Sequence, residues 1–174
     1  MQVMTSRLTL TTLRPEDWQL FRAVHEDRDT MKWVSEIPDE DDIRERFTQR
    51  LAPWQVGSFH MLCLVVRRRD SGEAIGLLGC TPEWQPARQA EIGYMLLQRH
   101  CGQGFGSEAL EALCECLFDA DFLKLKAMVV EGNWASRRIL EKNGFTLQRT
   151  LQHNYLLNDR WVNDWLLERL HPQI

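Results

Sequence analysis

Long apolar runs, blocks of basic charge, zinc-type cysteine pairs and low-complexity tracts are all missing from this sequence. No stretch approaches the roughly 18 consecutive apolar residues that a membrane-spanning helix requires, and the opening MQVMTSRLTLTTLRPEDW has no continuous apolar segment of the secretory-leader kind. The expectation is a soluble, unprocessed chain with no membrane partner. Lys and Arg total 21 against 25 Asp and Glu, a formal charge of −4. The single basic run, Arg67-Arg68-Arg69, is too short for a nucleic-acid footprint, so no nucleic-acid partner is expected; a mildly acidic surface instead favours a cationic or amine-bearing one. The five cysteines (Cys63, Cys80, Cys101, Cys114, Cys116) are odd in number, sit mostly in apolar runs and show no C-x-x-C or Cys/His spacing suited to zinc. No metal is expected, and a reducing, cytoplasmic setting is the simplest one.

What is present is an ordinary globular balance, 44% hydrophobic and 26% charged over 174 residues, which fits one domain spanning residues 1–174 with a core that needs no staples. RLTLTTLR (7–14) alternates as a half-buried strand does, and PEDWQLFRAVHED after it opens like a helix, with Pro at N1 and acids in the first turn. Pro38 separates a short helical turn from an amphipathic helix with Ile43, Phe47 and Leu51 on one face. FHMLCLVVRR (59–68), DSGE and AIGLLGCTPEW (74–84) read as a hairpin whose first strand is covered on both faces; QAEIGYMLL (89–97) adds a third strand. SEALEALCECLFDA sets Leu110, Leu113, Cys114, Leu117 and Phe118 at helical spacing, with Glu108, Glu111, Glu115 and Asp119 outward. LKAMVVE, NWASRRILEKN, FTLQRTLQHNYLL and DRWVNDWLLERL follow as strand, helix, strand and strand, although helix is possible at the end. The sum is a mixed α/β domain of six or seven strands and about four helices.

Gly102, Gly104 and Gly106 fall between a strand end and a helix start, in LLQRHCGQGFGSEALEALCECLFD. First-turn N–H groups there have no intrahelical partner and the helix dipole is positive, so the place suits an anion; a tight loop needed only for packing is the alternative. The spacing excludes two phosphate motifs. No Lys precedes Ser107, as a P-loop requires, and G-x-G-x-G late in the chain, with no acid about 20 residues on, is not a dinucleotide fingerprint.

Arg99-His100-Cys101-Gly102-Gln103-Gly104 is an R-x-x-G-x-G sequence, and it resembles the acyl-CoA pyrophosphate loop of the GNAT N-acetyltransferases. NWASRRILEKNGF (133–145) resembles that family's N-x-x-S-x-x-x-x-E-x-x-G-F helix, and AEIGY (90–94) and RLTLTTLRPEDW extend the resemblance over nearly the whole chain, closest to the RimJ/RimL-like branch. The resemblance implies the GNAT fold: a central, mostly antiparallel sheet with a splayed pair of strands. It implies acetyl-CoA as cosubstrate, with pantetheine pairing near Met95, Leu96 and Leu97, and the diphosphate held from Gly102 through Gln103, Gly104, Phe105 and Gly106 to Ser107. Arg99 would add charge at the phosphate end or be a solvated loop residue.

By the same resemblance the reaction is acetyl transfer to a primary amine, of a peptide N-terminus or a small molecule. Such transfer needs a neutral amine, an oxyanion donor and a means of protonating the leaving thiolate. A main-chain N–H around Leu97 is the expected oxyanion donor. Glu91 is the candidate base, against an ion pair or strand-edge charge. The Tyr that many relatives carry on the helix is Leu140 here, and Ser136, one turn earlier, is the candidate for hydrogen bonding the sulfur, against merely bonding its own helix. Asn133 caps that helix, with or without a pantetheine contact. Trp33, Trp84, His153 and Tyr155 are candidate acceptor-site residues, with packing or surface roles as the alternative. Cys101 at the helix start is a candidate for a lowered pKa. A homodimer through the Trp161 and Trp165 face is possible, and a non-catalytic acyl-CoA-binding or protein-interaction module on the same fold is the competing function.

Overall fold

A computed structural model describes all residues, Met1–Ile174. It contains β1 (Gln2–Met4), β2 (Leu8–Thr12), α1 (Trp18–Glu26), α2 (Arg28–Met31), α3 (Glu40–Arg50), β3 (Leu62–Arg68), β4 (Ala74–Glu83), β5 (Gln89–Leu96), α4 (Phe105–Asp119), β6 (Lys124–Val130), α5 (Trp134–Lys142), β7 (Thr146–Leu157) and β8 (Arg160–Leu170). The strands form one sheet in the order β1-β2-β3-β4-β5-β6-β8-β7. Every neighbouring pair is antiparallel except β5 and β6. The mixed α/β, mostly antiparallel architecture agrees with the sequence. The strand count differs, because β1 is an eighth strand; the short helical turn before Pro38 is present as α2, capped by the Asp27 side chain, which accepts from Asp29 N and Thr30 N. The chain's end is strand, because β8 is paired along both edges. No helix is long and apolar enough to cross a membrane.

The two faces are covered unequally. One core of 26 buried residues lies under α4 and α5 and takes Leu62, Leu64 and Val66 from β3; the other, of nine, lies under α1 and α3 and takes Cys63 and Val65. β3 is thus covered on both sides, as its unbroken apolar run implies. No residue of β6, β7 or β8 belongs to the smaller core, so that face of those strands has no helical cover. The expected face of Trp161 and Trp165 divides: Trp165 is buried, packed 4.7 Å from Trp134 of α5, while Trp161 is 63% exposed.

Candidate functional site

β5 and β6 pair over three residues only, Gln89, Ala90 and Glu91 against Lys124, Leu125 and Lys126. Beyond Glu91 each strand keeps its other neighbour, β4 or β8, and loses this one, so a wedge opens in mid-sheet with Glu91 and Lys126 as its last rung. Strand edges left unpaired inside a sheet are a ready template for an extended ligand. Which groups face the wedge follows from the alternation of antiparallel hydrogen bonds. Leu97 N donates to Ile75 O of β4 (2.9 Å), so the main chain of Leu97, and by alternation that of Met95, turns away from the wedge. Those of Ile92, Tyr94 and Leu96 turn toward it, which shifts the expected oxyanion donor from Leu97 to Ile92 or Tyr94. Leu96 O is already taken by the hydroxyl of Thr30 (2.8 Å), and Asp27 accepts from Gln98 N (3.1 Å), so α2 pins the open arm of β5. Asp27 is partly desolvated, yet the backbone N–H groups of Gln98, Thr30 and Asp29 hold its pKa below the usual value.

At the wide end of the wedge the chain turns through Gly102 and Gly104, with φ of 76° and 83°, a region that disfavours any side chain. The first bond of α4 runs from Glu108 N to Gly104 O (3.1 Å), and no peptide N–H from Gly102 to Ser107 has a protein acceptor. A Cβ at Gly102 would meet nothing within 4 Å. These open donors at a helix start form an anion cradle, and a cavity of about 580 Å³, lined in part by Gly104, Ser107, Lys142 and Asn143, adjoins it. Buried Asn143 donates to Ser107 Oγ (3.0 Å) and ties α5 to this turn.

Glu108, expected on a solvated face, instead clamps the cradle. Its carboxylate accepts from Thr5 Oγ1 (2.6 Å), Ser6 Oγ (3.1 Å), Arg7 N (2.8 Å) and Arg7 Nε (2.7 Å). Desolvation acts to raise its pKa, but these donors prevail and bring it down to about 2. Arg7 also donates to Gln103 O (2.9 Å) and lies over the Phe105 ring at 4.6 Å. Arg99 is 3.1 Å from Glu73 and 63% exposed, near the turn but outside it. Cys101 is no thiolate: burial pushes its pKa up, contrary to the expected lowering.

Below the cradle the two candidate catalytic side chains lie on opposite faces. Ser136, on α5, has its N–H on the Asn133 cap (3.3 Å) and its hydroxyl 2.7 Å from the phenol of Tyr94, which is also 3.0 Å from Ser136 O. Burial, against the Ser136 hydrogen bond, pushes the Tyr94 phenol up to about 12, so it stays a protonated donor at neutral pH. Glu91 projects from the other face, 45% exposed and 4.0 Å from Lys126 Nζ, which Glu83 holds at 2.6 Å. On this same face Tyr155 donates to Val34 O (2.6 Å), and Trp33 covers Gly132 just past β6. His153 is exposed in a bulge of β7, with φ 47°. Trp84 packs edge-on against Phe122 at 5.1 Å, by the closed end of the wedge. Sequence reasoning missed Tyr94, Arg7, Thr30 and Asp27; the D-x-x-T cap at 27–30 was the one local signal.

Residues 7–146 match the acetyltransferase (GNAT) domain family. This chain is a GNAT acetyltransferase. It is 30% identical over 157 residues to the uncharacterized protein YkkB of Bacillus subtilis, covering 87% of this chain and 88% of that one. To the ribosomal-protein-serine acetyltransferase of Escherichia coli it is 28% identical over 144 residues, covering 81% and 77%. The fold matches the spermidine N-acetyltransferase of Vibrio cholerae, solved with CoA and spermine, at a TM-score of 0.83 and 21% identity, covering 96% and 97%. The GNAT chain is accordingly an acyl-CoA-dependent N-acetyltransferase, in agreement with the expected RimJ/RimL-like placement.

Proposed function

We propose that acetyl-CoA lies in the β5–β6 wedge with its diphosphate on the Gly102–Ser107 amides, and that a primary amine attacks the thioester from the Glu91 face. The observation that carries this is the coincidence of the lost β5–β6 pairing after Glu91 with a turn of unbonded N–H groups at the wedge's open end. Glu91 takes a proton from the amine as the new C–N bond forms, directly or through water. The N–H of Ile92 or Tyr94 donates to the carbonyl oxygen as it gains charge. When the C–S bond breaks, the hydroxyl of Ser136 donates to the sulfur, and Tyr94, too weak an acid to give up its proton, orients that hydroxyl; the amine's proton finally neutralises the thiolate. Tyr94 and Ser136 together stand where the helix lacks a tyrosine, at Leu140.

A small-molecule amine or a peptide N-terminus fits the half-open acceptor face, and the chemistry in the names of the spermidine and ribosomal-protein relatives supports an amine. Five cysteines, all free and none in paired spacing, support a cytoplasmic setting. Thiol release from acetyl-CoA, followed over a panel of alkylamines and short peptides, tests the proposal. Turnover with a subset is expected; acetyl-CoA binding with no turnover on any acceptor would favour the binding-module reading instead.

A further inference from the structure

The β8 residue Asp164 is only 6% exposed, makes no ion pair, and receives one side-chain hydrogen bond, from Asn154 Nδ2 at 2.8 Å to its Oδ2. A carboxylate withdrawn from water without a cation is costly, and such groups are ordinarily paired. Its position gives the missing partner a chemical identity. Asp164 is opposite Val130 of β6, and Lys126 of β6 is opposite both Glu168 and Glu91, so Asp164 and Glu91 project from the same face of the sheet. Tyr155 is opposite Val162, two residues before Asp164, and therefore lies on that face as well, its hydroxyl fixed to Val34 O. Trp33 lies over Gly132, two residues past Val130: a Cβ there would be 3.5 Å from the indole Cη2.

Two aromatic rings and a buried carboxylate on one face of the sheet are the chemistry of an ammonium seat. No basic residue of this face forms an ion pair with Asp164. Lys124 and Lys126 are held by Glu168 and Glu83, Arg149 and Arg160 are exposed and form no ion pair, and Lys32 lies 6.0 Å from the Trp33 ring centroid, also unpaired. In the bulge His153 N donates to Asn163 Oδ1 (2.9 Å), and the left-handed turn at His153 precedes Asn154, which donates to Asp164.

We infer that Asp164, on the same sheet face as Tyr155 and near the Trp33 segment that Tyr155 holds, determines acceptor specificity by binding a second cationic group of the acceptor, so that the preferred substrates are primary amines carrying another ammonium. This rests on the proposal that the thioester occupies the wedge. The reacting nitrogen must be neutral there, so Asp164, on the next strand beyond β6, serves the other nitrogen, roughly 10 Å or less away, about two strand spacings.

Putrescine and butylamine are the probes, titrated calorimetrically into the CoA-loaded protein and compared as acceptors by kcat/KM. The wild type should favour putrescine about ten- to hundredfold, the span expected for one charge-assisted contact, and Asp164→Asn should remove most of that preference in both readouts. Asn154→Ala, which keeps the carboxylate, should retain it, and thermal unfolding verifies that each variant is folded. Equal affinity of the wild type for the two amines, or a preference that survives in Asp164→Asn, overturns the inference. Failure of acetyl-CoA itself to bind would defeat the wedge proposal separately, because the amine preference is scored on binding as well as turnover.

Discussion

On the helix side of the wedge Tyr94 and Ser136 meet at 2.7 Å beside a core of 26 residues, whereas on the other side Glu91 is 45% exposed and its nearest cation, Lys126, is 4.0 Å away. The first arrangement is fixed by burial: a phenol held protonated at a pKa of about 12 has one protein partner residue and little freedom to leave it. The second is framed by a bulge, a hairpin and the connection between α2 and α3, elements that substitution can reshape without loss of the core. Under the proposed reaction the buried side would hold the cosubstrate's thiol and the open side the acceptor, the partner that differs between the spermidine and ribosomal-protein relatives.

Variants on the two sides should separate along this line. Gly104→Arg is expected to have the largest effect, since φ of 83° disfavours a side chain and even a Cβ would lie 3.2 Å from Arg7 Nη2; calorimetry should show acetyl-CoA affinity reduced about a hundredfold or more. Glu91→Gln should lower kcat about a hundredfold and leave acetyl-CoA affinity near the wild-type value, and a steady-state rate unchanged in that variant removes Glu91 from the base role. For Tyr94→Phe the expected loss in kcat is about tenfold, with a steeper dependence of rate on leaving-thiol pKa across a series of acyl thioesters. A purely structural tyrosine would leave that slope alone.

Glu108 tests the cradle through stability. Its folded pKa of about 2 lies below the usual 4.5, so its contribution, no more than about 3 kcal/mol and reduced by solvent screening, is whole above pH 4.5 and fades as pH falls toward 2. Denaturation of Glu108→Gln should lose part of the wild-type pH dependence in that window. Smallest of all, Arg99→Ala should weaken acetyl-CoA binding less than about threefold, because the side chain is 63% exposed and shared with Glu73.

Local patterns gave away the parts of the molecule that local physics determines. The apolar stripe Leu110, Leu113, Cys114, Leu117 and Phe118 is buried as its spacing requires, and Asn133 caps α5 as its type requires. β1 escaped notice because three residues cannot display a period. The wedge was open to resemblance but not to periodicity, since side-chain alternation continues through β5 whether or not β6 is beside it. For the same reason the direction of the Leu97 amide, set by its partner Ile75, could not be read from the order of side chains. Contacts such as Tyr94 with Ser136, 42 positions apart, or Arg7 with Glu108, 101 apart, exist only once the sheet has formed. Asp164 looked like one more polar residue in an alternating strand; its burial, and its hydrogen bond from Asn154 ten positions earlier, exist only in the folded sheet.

Backbone amide NMR spectra recorded as CoA is added test the central claim most directly. The free N–H groups from Gly102 to Ser107 should show the largest displacements and become protected from exchange as the diphosphate binds, with Ile92 and Tyr94 following at the wedge. Saturable binding that leaves those amides unmoved, with the changes confined to another surface, would contradict the account.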